Sequence, residues 1–140
     1  MPTYVVELAV RALNDAGKAI KGSKVLIMGL IYKENVAGVR ETPVKHIISE
    51  LRGFGIDLYG FDPLVAKIEE EFGIKAIYDP DFTELDRLDG VIWAVNHKEF
   101  KSITLKALKS RMSENPVLID VRGHFDRDEA EKEGFYYRSL

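Results

Sequence analysis

Apolar residues in this chain recur with two different periods, and the switches between them outline the elements. Across residues 3–16, Val6, Val10 and Leu13 fall at i, i+4 and i+7, with Val5, Ala9 and Ala12 beside them. That is one face of a helix, and Gly17 is the expected stop. The run Lys24-Val25-Leu26-Ile27-Met28-Gly29 predicts a buried strand. Thr42-Pro43 then opens a helix, with Thr as cap and Pro at its first position. Val44, Ile47, Ile48 and Leu51 form its apolar stripe, and Gly53 is read as its end. Residues 56–61 predict a second strand. Asp62-Pro63 repeats the cap-then-proline device before a helix over 64–72, and residues 75–78 predict a short third strand.

The second half continues the alternation. Phe82, Leu85 and Leu88 predict a short helix over 81–88. Val91 to Val95 is apolar throughout, as in a central parallel strand covered on both faces. Phe100, Ile103, Leu105 and Leu108 belong to helical turns. Residues 116–120 predict a fifth strand. Asp126 and Glu129 resemble a capping box for a helix that stops at Gly134, and Phe135-Tyr136-Tyr137 is an edge strand. This order predicts an α/β fold: a Rossmann-like, doubly wound and mostly parallel sheet. A helix opening at residue 3 with no strand before it predicts that a segment upstream has been removed. The turn from Gly17 to Ser23 is the candidate boundary, dividing residues 1–22 from a sheet domain of 23–140.

Composition narrows the chemistry. The chain has 140 residues, 46% hydrophobic and 31% charged, with a net charge of −3. It is one domain in size, and its charge does not suit nucleic acid. There is no cysteine, which excludes disulfides, thiolate metal sites and a cysteine nucleophile within the chain. No apolar run approaches the roughly 20 residues needed to cross a bilayer, so no membrane partner is expected and a cytoplasmic location is the default. His46, His97 and His124 are too scattered to suggest a metal site.

In an open parallel sheet, ligands bind beyond the carboxyl ends of the strands, where strand order reverses. In the common order 3-2-1-4-5-6, the loops to watch follow Gly29, Val95 and Asp120. They carry Tyr32, Lys33 and Arg40, then Asn96, His97 and Lys98, then Arg122. Cations delivered by separate strands to one edge of an acidic protein point to a phosphate site. The first loop lacks the second and third glycines of a dinucleotide fingerprint. His97 has no Ser or Cys partner motif, so no catalytic residue is assigned. Asp62 is read as a helix N-cap, Trp93 as core, and Arg122 has a structural alternative in a salt bridge to Asp120 or Asp126.

At these residues the chain resembles a family. Gly29-Leu30-Ile31-Tyr32-Lys33-Glu34-Asn35-Val36, followed by Arg40-Glu41-Thr42-Pro43, is similar to the signature of nucleotide-sugar 6-dehydrogenases of the UDP-glucose/GDP-mannose dehydrogenase family. Tyr59-Gly60-Phe61-Asp62-Pro63 and Asp120-Val121-Arg122-Gly123 resemble two further motifs in the same order. The first motif is specific; the other two are weak alone. Two positions depart from the pattern: Gly38 stands where the family has Asp, and Thr42 replaces Ser. The resemblance implies the C-terminal, UDP-sugar-binding domain of an NAD-dependent enzyme that oxidises a sugar C6 alcohol to a carboxylate through a cysteine thioester. It implies that residues 1–22 end a central helical region, and that an N-terminal domain binds most of the NAD. The full enzyme is expected to be a homo-oligomer. Tyr32, Lys33 and Arg122 would contact the UDP-sugar, and Arg40 would reach the NAD. The chain alone should bind without turnover. The alternative is a stand-alone nucleotide-binding or regulatory module; a receiver-like switch is disfavoured because the first strand ends in Met28-Gly29 without an acidic pair.

Overall fold

The computed structural model describes residues 2–31, 43–78 and 85–140. Among them, six strands form one parallel sheet: β1 (Lys24–Met28), β2 (Asp57–Phe61), β3 (Lys75–Ala76), β4 (Leu88–Trp93), β5 (Met112–Asp120) and β6 (Tyr136–Ser139). Their spatial order is β3-β2-β1-β4-β5-β6, and every pairing is parallel. The order reverses between β1 and β4, which is the switch point expected of a doubly wound sheet.

Side chains alternate across the sheet because the strand period is two. Val25 and Ile27 join a core with α1 (Pro2–Asp15), α2 (Pro43–Gly53) and α3 (Ile68–Phe72). Leu26 and Met28 face the opposite way, into a core with Phe100, α4 (Leu105–Lys109) and α5 (Arg127–Lys132). The apolar stripe of α1 is covered: Val5, Val6, Ala9, Ala12 and Leu13 are all buried in the first core. The helix ends in a Schellman motif, with Gly17 at φ 77°. There Lys18 N–H donates to Leu13 O and Gly17 N–H to Asn14 O, both at 3.0 Å, satisfying carbonyls that a helix end would otherwise leave bare. Lys18 then donates to Asp89 Oδ1 at 3.0 Å, to Ser113 Oγ at 2.9 Å and to the Glu114 carbonyl at 2.7 Å. This fastens the turn after α1 to the amino-terminal edge of the sheet.

Several boundaries differ from expectation. The helix expected over 64–72 begins only at Ile68, after a turn at Pro63-Leu64; Asp62 Oδ1 accepts from Leu64 N–H within that turn, while Oδ2 serves the exits of β1 and β4. Leu88, expected to end a helix, opens β4 instead; of that expected helix, residues 81–84 lie outside the described residues. β5 starts at Met112 rather than Pro116 and carries an irregularity: Leu88 pairs with Met112, but Gly90 pairs with Val117. Proline lacks the ladder donor, so Pro116 sits within this interruption. The left-handed residue after α2 is Gly55 (φ 81°), two beyond Gly53. The Asp126 cap is as expected, its carboxylate accepting from Glu129 N–H at 3.0 Å.

Gly29 closes β1 at φ 92°, and a Cβ there would lie 2.5 Å from Val95 Cβ and 2.9 Å from Val95 N. Gly29→Ala therefore meets both a left-handed backbone and a backbone wall. It is expected to cost about 2–4 kcal/mol in urea unfolding, whereas Gly53→Ala, which meets open space, should cost nothing measurable.

Candidate functional site

The carboxyl ends of β1, β4 and β5 lie side by side, and two buried aspartates organise them. Asp62, just beyond β2, is 2% exposed. Its Oδ2 accepts from Leu30 N–H at 2.7 Å and Ile31 N–H at 3.0 Å, and lies 3.0 Å from His97 Nε2. Its Oδ1 accepts from Leu64 N–H at 2.8 Å. One side chain thus joins the exits of β1, β2 and β4. Asp62 is not the helix N-cap expected from Asp-Pro: the residue before α3 is Lys67, which makes no side-chain cap.

His97 is buried, with its ring edge-on to Phe100 at 5.4 Å. Burial disfavours the charged imidazolium, but the hydrogen bond to Asp62, that carboxylate's charge, Glu99 and the Ile31 backbone together outweigh it, and the pKa is raised. Burial also opposes the Asp62 carboxylate, yet hydrogen bonds from His97 and from the Ile31, Leu30 and Leu64 amides hold its pKa below the usual carboxylate range. Each partner favours the charged form of the other.

The second aspartate ends β5. Asp120 is fully buried. It accepts from His124 N–H at 3.0 Å, from Phe125 N–H at 2.8 Å and from the Tyr137 hydroxyl at 2.6 Å. Asp120 accepts from backbone amides in this turn, and Asp126 accepts from one at the start of α5. Arg122 is exposed in the turn between them, beside Gly123 at φ 67°. Below the turn, Trp93 is fully buried, as expected of core. His124 stacks on its face at 5.1 Å, and Phe125 meets it edge-on at 4.8 Å. Trp93 Nε1–H donates to Asn96 Oδ1 at 3.3 Å.

Of the expected site residues, Arg122 follows β5 at this edge. Tyr32, Lys33 and Arg40 lie outside the described residues. The described chain stops at Ile31, whose amide Asp62 holds. A groove of about 400 Å³ between α4 and α5 is lined by Thr104, Lys106, Phe125 and Glu129 among others; Arg122 is not part of it. Gly29 abuts Val95 with no room for a Cβ, and the sequence after it lacks the glycines that let a pyrophosphate approach a helix backbone. Sequence reasoning missed the joint role of Asp62 and His97, and it missed Tyr137. The local cap explanation of Asp62 drew attention away from its place at a strand end beside the switch point.

Known proteins share this arrangement of elements. The profile of the UDP-glucose/GDP-mannose dehydrogenase family, UDP binding domain, matches residues 26–127. The UDP-N-acetyl-D-glucosamine 6-dehydrogenase of Pseudomonas aeruginosa is 33% identical over 94% of this chain and 31% of its own length. The UDP-glucose 6-dehydrogenase of Rhizobium meliloti is 30% identical over 93% of this chain and 30% of its own length. The chain thus spans about a third of the length of these relatives. Among solved structures, the NDP-N-acetyl-D-galactosaminuronic acid dehydrogenase of Methanosarcina mazei superposes over 100% of this chain and 29% of its own, with TM-score 0.84 and 26% identity.

The Asp62–His97 pair makes stability depend on pH with a defined sign. Because its folded pKa is raised, the His97 contribution is full below about pH 6.5 and is lost as pH rises through the folded value. Because its folded pKa is lowered, the Asp62 contribution is present above about pH 4 and is lost as pH falls through the folded value. Urea unfolding of wild type and His97→Gln should differ most between about pH 5 and 6.5, and the gap should narrow in alkaline buffer. A gap that stays constant into alkaline buffer would show that the pair is not charged.

Proposed function

The chain belongs to the UDP-glucose/GDP-mannose dehydrogenase family as its UDP-binding domain, and from that premise we propose that it holds a UDP-sugar at the carboxyl edge of the sheet, with the diphosphate between the exits of β1 and β5. The observation that supports this reading is that the exits of β1, β4 and β5 lie next to one another at one edge of the sheet. Arg122 follows β5, and the residues preceding Tyr32 and Lys33 are anchored beside β4 through Asp62. Lys33 and Arg122 then supply charge-assisted hydrogen bonds to phosphate oxygens, and Tyr32 contacts the substrate. Arg122 presents a planar fork suited to two oxygens; Lys33 acts as a point charge.

In the parent enzyme this domain serves oxidation of a UDP-sugar at C6 from alcohol to carboxylate. NAD supplies the hydride acceptor and is held mainly by an N-terminal domain, with Arg40 reaching towards it. This chain has no cysteine, so the thioester nucleophile comes from elsewhere in the parent. Residues 1–22 are the end of the central helical region and its connecting turn, 23–140 are the binding unit, and the parent assembles as a homo-oligomer. Sites at domain interfaces need both walls, so the chain alone binds weakly and does not turn substrate over.

Titration calorimetry with UDP and UDP-N-acetylglucosamine tests this. Binding should weaken at least about tenfold in Arg122→Ala and in Lys33→Ala. No heat from the unmodified chain with either nucleotide would overturn the assignment and favour a stand-alone module. With NAD and a nucleotide-sugar, the chain alone should yield no NADH; measurable NADH would overturn the division of labour.

A further inference from the structure

The turn that carries Arg122 is built from its two ends inward. At its entry, Val121 N–H donates to the Trp93 carbonyl at 3.1 Å, tying the chain to β4. At its exit, the Asp120 carboxylate draws His124 and Phe125 back over the end of β5 through their amides. Between these ties, residues 121–123 form an excursion that carries Arg122 at its centre. Its course therefore depends on how the Asp120 carboxylate is rotated.

Two amides, one on each oxygen, set the plane of that carboxylate. A third donor arrives from the neighbouring strand: Tyr137 in β6 gives its hydroxyl to Asp120 Oδ2, the same oxygen that accepts from Phe125 N–H. Oδ1 is left to His124 N–H. The phenol is itself held, buried beside β5 with the Arg127 guanidinium 5.2 Å from its ring centre. We propose that Tyr137 and Asp120 are positioning residues for Arg122, fixing the turn after β5 so that the guanidinium fork meets two phosphate oxygens of the ligand. This rests on Arg122 being a diphosphate-binding residue, as proposed above. Burial, the hydrogen bond to Asp120 and that carboxylate's charge push the Tyr137 hydroxyl well above its ordinary range. It stays a donor throughout the neutral range.

A positioning role differs from a general packing role in whom it affects. A guanidinium needs orientation to bind in a bidentate manner, whereas a lysine ammonium on a flexible stem does not. The test is a double-mutant cycle on the full chain, with UDP-N-acetylglucosamine affinity read by calorimetry and folding checked by thermal melting. Tyr137→Phe should weaken binding roughly three- to tenfold when Arg122 is present. It should have little further effect in an Arg122→Lys background, which is itself weaker. Asp120→Asn, which removes one acceptor oxygen, should show the same dependence on Arg122 and serves if the tyrosine variant is destabilised.

Equal losses in the wild-type and Arg122→Lys backgrounds would overturn the proposal, since the tyrosine would then act on the fold as a whole. Unchanged affinity in Tyr137→Phe would overturn it too. Absence of binding by the unmodified chain would overturn both this inference and the nucleotide-sugar assignment; the first two outcomes overturn this inference alone.

Discussion

Burying a carboxylate is expensive unless each oxygen meets donors, and two carboxylates at the strand ends of this sheet satisfy that demand with the backbone amides of loops. Asp62 takes the amides of Leu30 and Ile31, and Asp120 takes those of His124 and Phe125. A loop whose amides are committed to a buried anion cannot drift without exposing that anion's unmet need. The cost of burial becomes a restraint on position. Because β1, β4 and β5 are neighbours, both restraints act on the same edge.

The two anchors differ in the company they keep. Asp62 is paired with an imidazole, so its strength varies with pH; Asp120 is paired with a phenol whose proton is held firmly. The first joins three strand exits through one side chain. The second acts within a single turn and is braced by the edge strand beside it. At the opposite edge, Lys18, Asp89 and Ser113 join the end of α1 to the starts of β4 and β5. That network secures the amino-terminal side of the frame and leaves the carboxyl edge to the two aspartates.

Much of the frame was legible in the chain. The strands at Lys24, Val91 and the apolar run ending at Asp120 announced themselves by continuous burial, because a central parallel strand has no wet face. The caps at Gly17 and Asp126 were legible because their partners lie within five residues. The misreadings share a cause. Asp62 looked like a local cap, but its partners include Leu30, Ile31 and His97, more than thirty residues away. Leu88 fitted a helical period with Leu85, yet pairing with Met112 drew it into β4.

What the amino-acid order determined by itself was therefore short-range: the alternation of elements, their caps, the absence of a thiol, and the loops on which cations fall. Those properties arise from steric and hydrogen-bonding preferences that act over a few residues. The tertiary structure alone decided which buried oxygen each loop amide would find, and that a tyrosine on the edge strand would reach the Asp120 carboxylate. Such pairings join separate elements, and only burial, by stripping away water, makes them obligatory.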